Sequence, residues 1–139
     1  MTLLKKLNEL LPILYPEFFV VTDDDNNELV FLKTGDMCDF SLHRVADKTQ
    51  CEAVMNHFHI FGHISENNYD LLEEAGKKIA SNLLKSLNQT FPQKKFIVYL
   101  EVNTRDSTII RFHQVWKNEF PYIDTSTIYK NTKIFEYRN

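Results

Sequence analysis

Residues 67–116, NNYDLLEEAGKKIASNLLKSLNQTFPQKKFIVYLEVNTRDSTIIRFHQVW, contain the two patterns that decide the fold. Tyr69, Leu72, Gly76, Ile79, Leu83 and Leu87 recur at three- and four-residue spacing, and Ala75, Ala80 and Leu84 widen the stripe. That period predicts a long amphipathic helix over Asn67 to Gln89, with Ser65, Asn67 or Asn68 as its N-cap. Asp70, Glu73 and Glu74 crowd the first turns and Lys77, Lys78 and Lys85 follow, so these charges serve the helix itself. Phe91-Pro92 stops it. Phe96 to Val102 and Thr108 to Trp116 are rich in β-branched and aromatic residues around a polar turn at Asn103 to Asp106, which reads as a hairpin.

Working toward the N-terminus, the segment CEAVMNHFHIFGHI, Cys51 to Ile64, reads as a long strand with Gly62 marking a bulge and Val54, Phe58 and Ile60 facing the core. Met37 to Val45 reads as a strand after the turn Thr34-Gly35-Asp36. Glu17 to Thr22 and Glu28 to Lys33 flank Asp23-Asp24-Asp25-Asn26-Asn27 as a further hairpin. Leu3, Leu4, Leu7, Leu10, Leu11 and Leu14 form an apolar stripe that predicts a short helix, which Pro12 and Pro16 end or kink. At the other end, Lys133 to Tyr137 forms one more short strand. Strands joined by short turns pair antiparallel, and amphipathic helices need a sheet face to cover. The expectation is a single α+β domain over residues 1–139: one antiparallel sheet of about five to six strands, with the N-terminal helix and one long central helix packed on it in two layers.

Composition narrows the function. The 139 residues are 43% apolar and 13% aromatic, with only three Gly and four Pro, enough to bury a core and too regular for a disordered chain. Sixteen Lys and Arg against nineteen Asp and Glu give a formal charge of −3 and a pI near 5.9, which argues against a nucleic-acid partner. There is no span of about 20 apolar residues for a membrane helix and no clean secretion signal at the N-terminus. A cytoplasmic location with Cys38 and Cys51 as reduced thiols follows.

Several constellations bear on chemistry. His57-Phe58-His59 puts two imidazoles on one strand face, and His63 shares their parity, so a metal site on His57, His59 and His63 is the alternative to plain solvent-facing histidines. Arg111 and His113 share a face of the last hairpin strand and could support acid–base hydrolysis. With Val98 and Leu100 across from them, however, strand parity sends Glu101 to the other face. No catalytic fingerprint accompanies either set, and no cofactor is assigned. Charge is also uneven. Leu7 to Leu32 carries Glu9, Glu17, Asp23, Asp24, Asp25 and Glu28 with no base, whereas Ala75 to Leu100 carries Lys77, Lys78, Lys85, Lys94 and Lys95 with no acid. Asp23-x-Asp25-x-Asn27 is not an EF-hand loop, because Glu28 and Thr34 stand where Gly and a bidentate Glu are needed. An acidic turn of this kind suits electrostatic docking of a basic protein. Trp116, Phe120, Pro121 and Tyr122 either close the core or anchor an interface.

The layout of MTLLKKLNELLPILYPEFF, the Asp-rich hairpin, the long helix and the terminal FIVYLEVNTRDSTIIRFHQVWKNEFPY resembles the small immunity proteins of bacterial polymorphic-toxin systems. That resemblance implies a noncatalytic, cytoplasmic protein that binds and neutralises a cognate toxin domain, often a basic nuclease. Asp23, Asp24, Asp25 and Glu28 would be contacts, and Trp116 and Tyr122 would serve as aromatic anchors. A homo-oligomeric structural protein, such as a homodimer, whose exposed edge strand pairs with a copy of itself is the remaining alternative.

Overall fold

A computed structural model describes residues 2–34, 47–60, 68–103 and 107–139. Its elements in order are α1 (Leu3–Leu14), β1 (Phe18–Thr22), β2 (Glu28–Leu32), α2 (Lys48–Met55), β3 (His57–Ile60), α3 (Tyr69–Thr90), β4 (Phe96–Asn103), β5 (Thr108–Gln114) and β6 (Thr132–Arg138). The α+β class holds. The strands form two antiparallel sheets, β1-β2 and β3-β5-β4-β6, where one sheet was expected. The readings of Met37 to Val45 as a strand, of Gly62 as a bulge, of Cys38 as a thiol and of Ser65 or Asn67 as a cap lie outside the described residues.

Thr2 caps α1 by accepting from the Lys5 amide at 3.2 Å. The helix runs through Pro12 and ends before Pro16, where the Tyr15 amide still reaches Leu11 O. In the β1–β2 turn, Asp23 Oδ1 accepts from the Asp25 and Asn27 amides at 2.9 and 2.8 Å, and Asn26 takes the left-handed conformation. This is an Asx-type turn, for which Asp and Asn are suited.

The segment read as one long strand divides instead. Lys48 to Met55 is helical, and among the described residues of that segment His57 to Ile60 pairs with β5. The apolar spacing of CEAVM fits either state over so short a run, and the deciding signal lies just upstream. Asp47 Oδ1 accepts from the Gln50 amide at 2.7 Å, so the capping pattern Asp47-x-x-Gln50 starts a helix there. Val54, expected in the core, is exposed in consequence.

α3 lies across one face of the four-stranded sheet. Leu72, Ile79, Ala80, Leu83 and Leu87 meet Ile60, Phe96, Val98, Leu100, Val102, Ile110 and Phe112, and α1 adds Ile13. β2 is buried on both faces: Val30 and Leu32 join this core, while Leu29 and Phe31 form a second cluster with Cys51 that Trp116 borders. The Phe18 ring meets Phe112 edge-on at 5.9 Å and seats the hairpin against β5. Alternation sends Ile97, Tyr99, Arg111 and His113 to the opposite face, where Ile97, Tyr99 and Ile123 form a third cluster. No helix among the described residues is long and apolar enough to cross a membrane.

Gly76 marks where α3 comes closest to β4. A Cβ there would stand 2.8 Å from Leu100 Cδ1, so Leu100, which is fully buried, would have to shift within the core. Gly76→Ala should therefore destabilise by about 1 kcal/mol, because overpacking outweighs the ~1 kcal/mol gain in helix propensity. In a double-mutant cycle by denaturant unfolding, Leu100→Val should restore that propensity gain; a stabilising Gly76→Ala on its own would refute the close contact.

Candidate functional site

The side chains that organise the possible sites radiate from one buried acid. Glu52 on α2 is 0% exposed. Its Oε2 accepts from the Val30 amide at 2.8 Å and from Gln114 Nε2 at 2.7 Å. Its Oε1 accepts from the Gln114 amide at 3.0 Å and from Trp116 Nε1 at 2.6 Å. One turn on, Asn56 accepts from the Leu32 amide at 2.8 Å and donates to Val30 O at 2.9 Å. The edge of β2 away from β1 is thus satisfied by the side chains of a helix. This is why the hairpin does not merge with the larger sheet. Burial pushes the Glu52 carboxyl above its ordinary value, and the hydrogen bonds from Val30, Gln114 and Trp116 work against that shift.

This arrangement holds Trp116 half-buried beside α2, with Lys48 Nζ 5.1 Å from its ring centroid. Lys48 pairs with Glu119 at 2.8 Å, and Glu119 Oε1 also accepts from the Thr49 amide at 2.8 Å. The Glu119 hydrogen bond raises the Lys48 ammonium, with the charges of Asp23 and Asp25 adding to it. Burial alone would raise the Glu119 carboxyl, but Lys48 and Thr49 hold it below its ordinary range. Lys48 thus lies over the Trp116 ring while feeling the charges of Asp23 and Asp25 in the acidic turn, some ninety residues before Trp116 in the chain. Within the turn, Asp23 is committed to Asn27, whose hydrogen bonds lower its carboxyl. Asp24 and Asp25 are exposed, and Glu28 pairs with Lys94 at 3.2 Å. Beyond Trp116, Phe120 stands 89% exposed and Tyr122 38% exposed, while Ile123 turns back into the core.

On the open face of the large sheet, Arg111 Nε donates to Glu101 Oε2 at 2.6 Å, and its guanidinium lies 4.9 Å from the Tyr122 ring centroid. Glu101 thus shares the face of Arg111, contrary to the parity expected. Val102 pairs with Thr108, which leaves an odd number of residues between them and places Tyr99, not Val98 or Leu100, across from Arg111. His113 is 1% exposed. Its Nδ1 sits 2.7 Å from Gln114 O and so carries the proton, and its Nε2 accepts from Tyr99 Oη at 3.1 Å and the Tyr122 amide at 3.2 Å. Burial lowers the His113 imidazole and pushes the Tyr99 phenol up to about 12. Both ring nitrogens of His113 are thus engaged, Nδ1 with Gln114 O in its own strand and Nε2 in anchoring the Tyr122 loop to the sheet.

His57 and His59 share the exposed face of β3, their ring centroids 5.3 Å apart. His57 Nδ1 reaches Val54 O at 2.6 Å, and His59 Nδ1 reaches Ser107 Oγ at 2.7 Å. His63, the third member of the set read from the sequence, lies outside the described residues. Among those residues, no group of three His, Cys, Asp or Glu could hold a metal ion. Sequence reasoning missed Glu52 and Asn56 altogether. Their i, i+4 spacing becomes a signal only once Lys48–Met55 is recognised as a helix.

A family model described as Uncharacterized protein PM0498 family matches residues 3–136. No curated protein and no solved structure matches the chain.

Two outcomes follow from the buried groups. Each Glu52 oxygen accepts two N–H bonds, so in Glu52→Gln an amide NH2 must face two donors whichever way it turns. The substitution should remove roughly 3 kcal/mol of stability by urea unfolding, with loss of hydrogen-exchange protection at Val30 and Gln114; unchanged protection would sink the network. His113 is neutral in the fold and takes a proton more readily when unfolded, so its contribution to stability is present above pH 6.5 and lost as pH falls through the lower folded midpoint. Glu52 acts with opposite sign, losing stability as pH rises through its raised midpoint. The His113 midpoint should therefore be read residue by residue from imidazole NMR, where a value of 6.5 or higher would contradict its burial.

Proposed function

We propose that this chain, which belongs to the Uncharacterized protein PM0498 family, is a noncatalytic protein-binding module. It docks a basic protein on the face made by its acidic turn and its Trp116–Tyr122 loop. In its most specific form the reading is of a cytoplasmic immunity protein that binds and neutralises a cognate toxin domain. The observation that carries it is Lys48, paired with Glu119 over the Trp116 ring and raised further by the charges of Asp23 and Asp25. Asp24 and Asp25 stand free of the internal bonds that occupy Asp23, and the adjoining loop exposes Phe120 and Tyr122. Acidic groups steer a basic partner into encounter, and aromatic side chains supply the area buried once contact is made. Trp116 belongs to the support of this face rather than its rim, because its indole N–H is spent on Glu52.

The same observations weigh against hydrolysis at Arg111 and His113. His113 has no ring nitrogen left for a substrate, and Arg111 is neutralised by Glu101 and covered by Tyr122.

The test is affinity capture from a lysate of the producing organism, comparing the natural chain with an Asp24→Lys, Asp25→Lys variant that keeps Asp23 and the turn intact. A basic protein retained in stoichiometric amount by the first should be lost by the second. With that protein purified, association should slow by roughly tenfold at low salt and lose its salt dependence. Phe120→Ala should instead speed dissociation. Equal capture by both chains would refute electrostatic docking at this turn.

A further inference from the structure

We infer that His57 and His59 form a two-imidazole site for one borderline divalent cation, of the copper, nickel or zinc class, on the open face of β3. The argument starts from strand geometry. Residues i and i+2 share a face with their Cα atoms about 6.6–7 Å apart, and here the rings lean toward each other to a centroid separation of 5.3 Å. Both side chains are exposed.

The second observation is what each Nδ1 does. Val54 O, in the last turn of α2, is an acceptor only, so the His57 Nδ1 at 2.6 Å from it carries the proton. The His57 Nε2 is left with its lone pair free. The His59 Nδ1 lies 2.7 Å from Ser107 Oγ, a hydroxyl able to accept its proton, and in that tautomer its Nε2 is free as well. An imidazole whose Nδ1–H is held by a protein oxygen, with Nε2 free, is the arrangement that metal-binding histidines use, because the outer bond fixes tautomer and ring direction before the cation arrives.

The third observation bounds the site. Among the described residues no third His, Cys, Asp or Glu joins the pair, and Glu101, on the neighbouring strand's partner, is tied to Arg111 at 2.6 Å. Among the described residues the cation is thus held by two imidazoles, at about 2.0–2.1 Å. Nitrogen ligands and no thiolate favour Cu2+ over Ni2+ and Zn2+ in affinity. Ser107 is a positioning residue for His59, and the α2 terminus plays that part for His57.

The experiment uses the full chain without an affinity tag, titrated with Cu2+ and, separately, Ni2+ by calorimetry. One equivalent of Cu2+ should bind, with two equatorial nitrogens in its electron paramagnetic resonance spectrum. His57→Ala and His59→Ala should each weaken Cu2+ at least roughly tenfold, since loss of even an outer-shell partner is felt on that scale. Ser107→Ala should weaken it by less, and melting temperatures recorded without metal separate ligand loss from unfolding. Because His57→Ala also removes the bond to Val54 O, a second measurement uses the unaltered chain: Ni2+ should broaden the NMR signals of the His57 and His59 rings first. Affinity unchanged in either alanine variant, broadening that spares this pair, or no binding at millimolar Ni2+ would each overturn the site.

Discussion

A carboxylate with four N–H donors around it, and no cation beside it among the described residues, sits where three parts of the chain converge. Glu52 binds β2 through Val30, β5 through the Gln114 main chain and side chain, and the segment after β5 through Trp116. A buried polar group that loses its partners costs roughly 1–3 kcal/mol for each one left unsatisfied. The network therefore admits one arrangement of hairpin, helix and sheet and penalises slippage of any of them. Asn56 repeats the device one helical turn on, bonding Leu32 and Val30 in β2. Together the two side chains take the place of a strand along the inner edge of β2. They close an edge that would otherwise invite pairing with another chain.

The surface features inherit their positions from this joint. Because α2 is bound to β2 and β5 at once, its first turn carries Lys48 to Trp116 and Glu119. Its last turn presents Val54 O to His57. A second buried polar group, His113, does similar work on the far face of the sheet. With Tyr99 it holds the Tyr122 and Ile123 amides, so a segment with little regular structure leaves Phe120 and Tyr122 in a defined place. Groups that in isolation resemble catalytic machinery, a buried acid and a buried imidazole, are here saturated by main-chain and side-chain partners within the fold.

Much of the architecture was legible in the residues. The stripe from Tyr69 to Leu87, the hairpin of Phe96 and Trp116, the Asp-rich turn and the leucine-rich first helix all follow from periodicity and turn chemistry, which act over a few neighbouring residues. The one element misread, Cys51 to Met55, is too short for its period to separate helix from strand. There the capping pair Asp47 and Gln50 mattered more than the apolar run. The side of the sheet on which Glu101 falls depends on which residues of β4 and β5 pair, here Val102 with Thr108, and a one-residue slip would send it to the other face.

The sequence by itself determined the α+β class, most of its helices and strands, the acidic turn and the shared face of His57 and His59, because each depends on residues close together in the chain. Only the tertiary structure decided that the strands form two sheets, that Glu52 and Asn56 join them, that Arg111 is spent on Glu101, and that Lys48 lies over Trp116. Those outcomes rest on hydrogen bonds between residues far apart in the chain, such as Glu52 with Trp116 and Arg111 with Glu101. A donor's need for an acceptor can be read from residue type, but which acceptor it meets is settled only when the layers pack.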